Sequence, residues 1–369
     1  MGSMSRQFLR VTAAALMLAF CTGAVTLTGA LVLDNPASAQ VQGEPPGDSL
    51  GSASDSELWR TLRRGYQGSV SFPDKQMGVA IQSEGDNWRA MRNGPVSIYG
   101  AWYLAAVLIV LGLFFLVRGR IKIEAGWSGR EVERFKALER FAHWLTATSF
   151  VLLGLTGLNI LYGRYVIKPL IGADAFSTLT LMGKYIHNFL GFAFMVGLVL
   201  IVVIWIRENI PNKDDWGWLK KAGGLFTKGS HPPARKFNAG QKMIFWLVVL
   251  SGVSLSVSGL ALLFPFKIDL FGPTFAVLSL VGFDFPTDLT AMQEIQLTQL
   301  WHTVLALVMI AVILAHIYIG WLGMEGAYDA MGNGRVDENW AREHHSLWAA
   351  ELGLEAAPHS GDEPQHDDD

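Results

Sequence analysis

Two histidines lie in the last strongly hydrophobic stretch of the chain, residues 300–322, which contains no charged side chain. They are His302 and His316, fourteen positions apart. On an α-helix this separation is about 21 Å, and at about 100° per residue both side chains lie within about 40° of one face. An imidazole in hydrocarbon is costly unless it is bonded, so an ionisable residue inside a membrane span indicates function. One helix face therefore offers a nitrogen ligand at two depths.

The elements that position these residues are hydrophobic stretches long enough to cross a bilayer. Of the 369 residues, 51% are hydrophobic, and the excess is concentrated in runs of about 20 residues rather than spread as in a globular core. The composition therefore predicts an all-α integral membrane protein. The predicted mature spans are residues 98–117, 141–161, 185–206, 243–264 and 300–322.

The loops between these spans differ sharply in positive charge. Lys and Arg together number seven in residues 118–140 and eight in 207–242, against three in 162–184 and one in 265–299. Loops rich in Lys and Arg stay in the cytoplasm. This alternation predicts a multi-pass protein of the bacterial inner membrane, with its N-terminal tail in the periplasm and its C-terminus in the cytoplasm.

This topology assigns a depth to each histidine of the spans. His143 begins a span that runs outward, so it lies near the cytoplasmic side, whereas His187 begins a span that runs inward and lies near the outer side. The last span also runs inward, so His302 lies near the outer side and His316 near the cytoplasmic side. The predicted pairs are His187 with His302 and His143 with His316, each from two helices, which is the geometry for two b-type haems held by axial ligands in a four-helix bundle.

Other interpretations of the four histidines remain open. A single intramembrane histidine can simply hydrogen-bond a neighbouring helix. Two His pairs without Cys or carboxylate neighbours make poor tetrahedral zinc sites. A proton relay usually includes Asp or Glu within the spans, where they are essentially missing here. Two spans contain small residues: Gly154, Gly157, Gly191 and Gly197. These glycines would permit the close approach of a macrocycle, but ordinary packing against another helix explains them equally well.

The N-terminal segment predicts export. Residues 1–39 combine two arginines, an apolar region and a small-residue pattern ending at Ala39, which is typical of a cleaved signal peptide; an uncleaved first span is the alternative. Residues 40–95 are polar and are predicted to be a periplasmic tail, either free or laid on a partner subunit. The single cysteine, Cys21, excludes disulfides and iron–sulfur clusters held by this chain.

The C-terminal end and one cytoplasmic loop carry weaker signals. Residues 346–369 are predicted to be a disordered acidic tail, and His344 with His345 to be solvated. Asn238 and Gly240, in a basic loop before the fourth span, supply an amide and an exposed backbone that could hydrogen-bond a quinone carbonyl. Asn-x-Gly is also ordinary turn chemistry. No basic patch with interleaved aromatic residues indicates a nucleic-acid partner.

Four segments carry a family resemblance: residues 139–158, 183–192, 236–246 and 300–345. They resemble the gamma-subunit family of membrane-bound formate dehydrogenases, which are dihaem cytochromes b with four membrane helices. The resemblance covers residues 135–345, the predicted cytochrome b domain. Residues 96–120, an additional transmembrane helix after the signal peptide, have no counterpart in the compact family.

The resemblance implies roles for specific residues. It implies that His187 and His302 bind an outer haem b and that His143 and His316 bind an inner one. It also implies a quinone, menaquinone or ubiquinone, beside the inner haem near Asn238 and Gly240.

The function implied is electron transfer rather than catalysis by this chain. Formate would be oxidised in an alpha subunit carrying molybdenum or tungsten, and electrons would pass through an iron–sulfur beta subunit and the two haems to the quinone. No catalytic residue is expected here. The alternatives are the cytochrome b subunit of a hydrogenase or thiosulfate reductase, and a haem-free membrane anchor or transporter.

Overall fold

The computed structural model describes residues 68–69, 79–81, 84–227 and 229–354. The predicted signal peptide, residues 1–39, lies outside the described residues, as does most of the predicted periplasmic tail.

Helices dominate the described part of the chain, and its strands are short. The strands are β1 (Gly68–Ser69), β2 (Val79–Ile81), β3 (Glu131–Glu133) and β4 (Arg335–Asp337). The helices are α1 (Glu84–Met91), α2 (Ser97–Arg118), α3 (Ala137–Val166), α4 (Lys168–Ile171), α5 (Ala173–Trp205), α6 (Lys213–Lys220), α7 (Ala239–Leu263), α8 (Phe271–Ser279), α9 (Ala291–Ile317), α10 (Asp329–Gly332), α11 (Glu338–His344) and α12 (Ser346–Glu351).

Within the described residues, five helical segments are long and apolar enough to cross a membrane, which confirms the predicted all-α membrane protein. Their bounds are Asn87–Arg118, Ala137–Val166, Ala173–Trp205, Ala239–Leu263 and Ala291–Gly323. The first begins well before the predicted position 98, because a π-helical segment, Arg92–Val96, joins α1 to α2 without a break. Hydropathy marks only the apolar centre of a span, whereas the helix continues into its polar end.

Close backbone approach joins α3 and α5 into an antiparallel pair. A β-carbon added at Gly197 would lie 3.0 Å from the backbone nitrogen and 3.1 Å from the Cα atom of Thr146. Nearer the other end of the pair, Gly157 faces His187. α7 packs on both α5 and α9, so the four helices form the predicted bundle.

The additional helix α2 packs against α9 on the outside of this bundle. A β-carbon added at Gly100 would lie 2.6 Å from Cδ1 of Leu307, and the Tyr162 hydroxyl donates to the carbonyl of Ser97 at 2.9 Å. At the other end of α2, Nε of Arg118 donates to the carbonyl of Leu225 at 2.7 Å. The helix is thus anchored to the bundle and to the loop between α6 and α7.

A cap of loops and short elements closes the bundle at the end where α3 begins and α9 finishes. β3 pairs antiparallel with β4 through Glu131 with Asp337 and Val132 with Val336. The Asp337 carboxylate accepts hydrogen bonds from the backbone nitrogen and hydroxyl of Ser128, each at 2.9 Å. These contacts join the segment before the bundle to the segment after it.

The predicted C-terminal tail begins later than position 346. α12 occupies Ser346–Glu351, and its Trp348 is buried in the aromatic core of the cap. The segment is ordered because Trp348 and Ala349 bury apolar surface there. The prediction missed this because it used the average composition of 24 residues, which is acidic. Residues 355–369 lie outside the described part of the chain.

We expect Gly197→Ala to destabilise the bundle by about 1–3 kcal/mol, because the new methyl group would force α3 away from α5. The measurement is the thermal unfolding midpoint of the detergent-solubilised protein. Gly112→Ala is the matched control, since a β-carbon at Gly112 meets no heavy atom within 4 Å. Equal midpoints for the two variants would contradict this account of the helix contact.

Candidate functional site

The structure brings His187 of α5 together with His302 of α9. Their ring centroids are 6.3 Å apart, and the ring planes meet at 67°. Nδ1 of His187 lies 2.9 Å from the Thr156 hydroxyl, and Nδ1 of His302 lies 2.9 Å from the Ser258 hydroxyl. The hydroxyls come from α3 and α7, so all four bundle helices contribute to this pair.

These hydroxyl contacts define which imidazole nitrogen is available. The Thr156 and Ser258 hydroxyls each donate their proton to the backbone carbonyl four residues earlier, at 2.8 Å. The tautomer that keeps both of these hydrogen bonds has an Nδ1–H group that donates to the hydroxyl. In that tautomer Nε2 of His187 and of His302 is unprotonated, which is the usual arrangement for a histidine that binds a metal.

His143 of α3 and His316 of α9 form a second pair, with ring centroids 6.2 Å apart and planes at 58°. The Trp144 ring packs edge-on against His143 at 5.3 Å. Nδ1 of His143 is buried without a hydrogen-bond partner. Because His302 and His316 are fourteen residues apart on one helix, the two pairs lie about 21 Å apart along α9.

The spacing within each pair fits two imidazoles that share one metal ion. A metal–imidazole bond is about 2 Å long, so two rings on opposite sides of one ion have centres about 6 Å apart. No group of three or more His, Cys, Asp or Glu side chains suited to a metal occurs in the described residues. Two protein nitrogens alone suit an iron whose other ligands come from a macrocycle, as in haem.

The glycines of the spans divide into two groups. Gly197 serves helix packing against Thr146, and Gly154 faces Ile310. β-Carbons added at Gly157 and Gly259 would each lie 3.5 Å from the Cε1 atom of a pair histidine, His187 and His302 respectively. These two glycines keep the immediate surroundings of the outer pair small.

A cavity of about 1480 Å³ adjoins the inner pair, and we call it the inner cavity. Its lining includes His143 and His316, the predicted quinone residues Asn238 and Gly240, and Phe114 of the additional helix α2. The structure thus brings the inner histidines and the predicted quinone residues to one space. Its volume and mainly apolar lining suit a cofactor together with a second, apolar ligand.

Local structure accounts for Asn238 and Gly240 without a ligand. The Asn238 carboxamide oxygen accepts from the Gln241 backbone nitrogen at 2.9 Å, and the Gln241 side chain accepts from the Asn238 nitrogen at 3.0 Å, which caps α7. A β-carbon at Gly240 would lie 2.8 Å from the Trp218 ring. The cap uses the oxygen of Asn238, so its amide nitrogen is the group that could donate to a ligand. A quinone role for the two residues stays a prediction.

Arg134 is a buried cation. In the sequence, it counted only among the positive charges of a cytoplasmic loop. Its side chain is 4% exposed, and Nη2 donates to the carbonyl of Lys236 at 2.7 Å. The guanidinium lies 5.0 Å from the ring centroids of both Trp340 and Trp348. Its Nε and Nη1 atoms are buried without partners, and Arg134 lines the inner cavity. Unpaired buried donors on a cation suit the carboxylate of a ligand.

The expectation of solvated side chains is wrong for His345, and His344 is only partly exposed. His345 is 0% exposed: its Nδ1 donates to the carbonyl of Arg235 at 2.6 Å, and its Nε2 accepts from Arg134 at 3.0 Å. Burial and the neighbouring guanidinium hold the pKa of His345 well below its usual value. Burial lowers the pKa of His344 to about 4. The sequence places both residues after a span, but the fold returns them beneath the cap.

Comparison with known proteins identifies similar chains. The family model described as prokaryotic cytochrome b561 matches residues 134–334, more than half of the chain. The nitrate-inducible formate dehydrogenase cytochrome b556(Fdn) subunit of Escherichia coli K12 is 28% identical over 229 residues, covering 61% of this chain and 93% of that protein. The formate dehydrogenase cytochrome b556 subunit of Haemophilus influenzae is 24% identical over 233 residues, covering 62% and 87% respectively.

The low pKa of His344 predicts acid sensitivity. The folded chain stays unprotonated at His344 until the pH approaches 4, whereas the unfolded chain binds that proton near pH 6.5. The contribution of His344 to the free energy of unfolding is therefore complete above about pH 6.5. It decreases as the pH drops towards 4, by at most about 1.4 kcal/mol per pH unit. The measurement is the unfolding midpoint at pH 7.5 and pH 5. His344→Gln should show a smaller decrease, and an unchanged decrease would contradict the assignment.

Proposed function

The chain belongs to the prokaryotic cytochrome b561 family, and from that premise we propose that it is the dihaem cytochrome b subunit of a membrane-bound formate dehydrogenase. Family membership implies haem b, and the apolar helices make the chain a multi-pass membrane protein. The number of haems, the quinone and the partner subunits are parts of the proposal.

The observation that carries the proposal is the presence of two His–His pairs at two depths. Each pair has the ring separation that one shared iron requires, 6.3 Å for His187 with His302 and 6.2 Å for His143 with His316. When bound, two b haems would supply one-electron redox centres at the two depths. Each imidazole inside a bilayer costs free energy unless its nitrogens are bonded. A haem-free anchor would not require two such pairs of imidazoles, so the pairs favour haem binding.

Residues around the pairs have specific tasks in this proposal. Thr156 and Ser258 hold the Nδ1–H groups of the outer histidines and so direct their Nε2 atoms to iron. Arg134 would hold a haem propionate beside the inner pair, because its Nε and Nη1 atoms are buried donors in the same cavity. Burial lowers the pKa of Arg134 to about 9, so the guanidinium still carries its charge at neutral pH.

The inner cavity is the proposed quinone site. Asn238 would donate from its side-chain amide to a quinone carbonyl, and Gly240 lines the same cavity next to it. Phe114 of α2 contributes to the cavity wall, and its ring packs edge-on against Phe226 at 5.7 Å. We propose that the additional helix shelters this site from lipid on one side. The occupant would be menaquinone or ubiquinone.

The direction of the proposed reaction follows from the loop charges. The basic loops favour an orientation in which the His143 and His316 end would lie at the cytoplasmic face of the bacterial inner membrane. Electrons would therefore enter from an iron–sulfur beta subunit near His187 and His302, and formate would be oxidised on a molybdenum or tungsten alpha subunit. The supporting observation is that similar chains are formate dehydrogenase cytochrome b556 subunits in two bacteria. Formate chemistry itself is not performed by this chain.

Formate-dependent reduction tests the assignment to formate dehydrogenase. The chain is purified with its copurifying subunits under anaerobic conditions, and reduced-minus-oxidised absorbance spectra are recorded. We expect b-type bands after addition of formate and none after addition of hydrogen. Reduction by hydrogen alone would assign the chain to a hydrogenase, and the lack of b-type bands with dithionite would reject the cytochrome.

Single substitutions test the haem pairing. We expect His302→Ala to lower the haem content from about two to about one per chain, because only the outer pair loses a ligand. Haem is measured against protein by the pyridine haemochrome assay. Thr303→Ala is the matched control on the next residue of α9, where the hydroxyl only bonds the Gln299 carbonyl. Loss of both haems or of neither would contradict the pairing.

A further inference from the structure

Among the titratable side chains outside the two His pairs that line the inner cavity, three are close neighbours: Glu124, His231 and His344. Glu124 comes from the segment between α2 and β3, His231 from the loop between α6 and α7, and His344 from the end of α11. Glu124 and His344 both fall outside residues 134–334, which match the family. The cluster is therefore built largely from parts of the chain beyond the family bundle.

The three side chains lie next to one another in the order Glu124, His231 and His344. Oε2 of Glu124 lies 3.1 Å from Nε2 of His231, and the ring centroids of His231 and His344 are 5.9 Å apart. Oε1 of Glu124 accepts from the backbone nitrogen of Gly229 at 2.8 Å, which holds the carboxylate towards the histidine loop. The Trp340 ring packs on the other side of His344 at 5.3 Å. Glu124 and His344, the two ends of the line, are thus each positioned by a contact outside it.

Exposure decreases along this line. The side chain of Glu124 is 50% exposed and that of His231 is 28% exposed. The Nε2 atom of His344 is buried without a hydrogen-bond partner, although the residue lines the cavity. A buried polar atom that no protein group satisfies carries a free-energy cost unless another group pairs with it. Nε2 of His231 is likewise buried and has only the ion-pair contact with Glu124 at 3.1 Å, so both imidazole nitrogens lie inward of the exposed carboxylate.

We propose that Glu124, His231 and His344 form a proton path, which we call the inner relay, from the cytoplasmic surface to the quinone in the inner cavity. The inference rests on the proposed function. Reduction of a quinone to its quinol adds two electrons and two protons, and each carbonyl oxygen becomes a hydroxyl. The electrons come from formate by way of the redox centres. Each proton comes from water, passes through Glu124, His231 and His344 in turn, and is replaced from water at Glu124.

The charges around the inner relay suit transient protonation. Contact with His231 lowers the pKa of Glu124, and burial lowers the pKa of His344 to about 4. His344 is therefore neutral at rest and releases a proton readily instead of retaining it. The other charged or titratable groups that face the relay are Arg118, Arg134, Glu343 and His345. Arg134, with a pKa lowered by burial to about 9, stays charged at neutral pH. The Glu343 carboxylate accepts hydrogen bonds from the Glu124 and Ala125 backbone nitrogens at 3.0 and 2.8 Å.

The test measures reoxidation of the reduced complex by a quinone. The purified complex is reduced with formate, mixed with menadione or decylubiquinone in a stopped-flow instrument, and followed by b-band absorbance and by a pH-indicator dye. For Glu124→Gln, His231→Gln and His344→Gln, we expect haem content and formate reduction to stay unchanged. Reoxidation and proton uptake should slow together by about tenfold above pH 7, where protons are scarce. Added imidazole should restore part of the rate in His344→Gln.

A matched control is available on the same segment. Glu131 is 51% exposed and lies 3.9 Å from Arg335, but it is not part of the inner cavity lining, so Glu131→Gln should reoxidise like the unmodified complex. If the His344→Gln variant does not fold, the reoxidation rate of the Glu124→Gln variant tests the relay instead, because Glu124 is an exposed residue. Rates equal to the Glu131→Gln control at every pH would overturn the relay while leaving quinone reduction intact. If the unmodified complex reduces neither quinone, the proposed quinone function fails and the relay with it.

Discussion

An imidazole in a lipid bilayer loses its hydration, and the free energy lost is recovered only if both ring nitrogens find partners. Four histidines in the membrane helices impose that requirement on this fold at two depths. For the outer pair, hydroxyls on α3 and α7 satisfy Nδ1, and the remaining Nε2 atoms of His187 and His302 are left for a metal. The bundle meets this requirement by holding histidines on α5 and α9 and hydroxyls on α3 and α7 in one layer.

α9 is the helix that relates the two layers. It carries one histidine of each pair, and its own rise separates them by about 21 Å. α3 and α5 supply the opposite histidines, and their antiparallel packing through Gly197 and Thr146 sets the depths of His143 and His187. A shift of α3 along α5 would move one pair relative to the other. The close backbone contact therefore serves the relative position of the two pairs as well as the stability of the bundle.

The two layers differ in their surroundings. The outer pair lies beside Gly157 and Gly259 and is held by hydroxyls, whereas the inner pair opens onto the inner cavity. Around that cavity the segment before the bundle, the loop between α6 and α7, and the segment after α9 converge on Arg134. Burying this guanidinium costs free energy, which two hydrogen bonds and the faces of two indole rings partly offset. In the proposed function, this polar and partly unpaired environment lies at the layer where electrons would leave together with protons.

Sequence alone determined the membrane helices and which histidines share a depth. Hydrophobic runs have a length set by the bilayer, and Lys and Arg distribute by sidedness, so both properties are local and additive along the chain. The start of the first membrane-spanning segment at Asn87 and the ordered helix α12 were not predicted. In the first case polar residues continue a helix beyond its apolar centre, and in the second they surround a short helix that packs on the cap. Only the tertiary structure decided the environment of Arg134, His344 and His345. Their partners lie up to 211 residues away in the chain, and no local pattern reports a contact that exists only after the cap has folded.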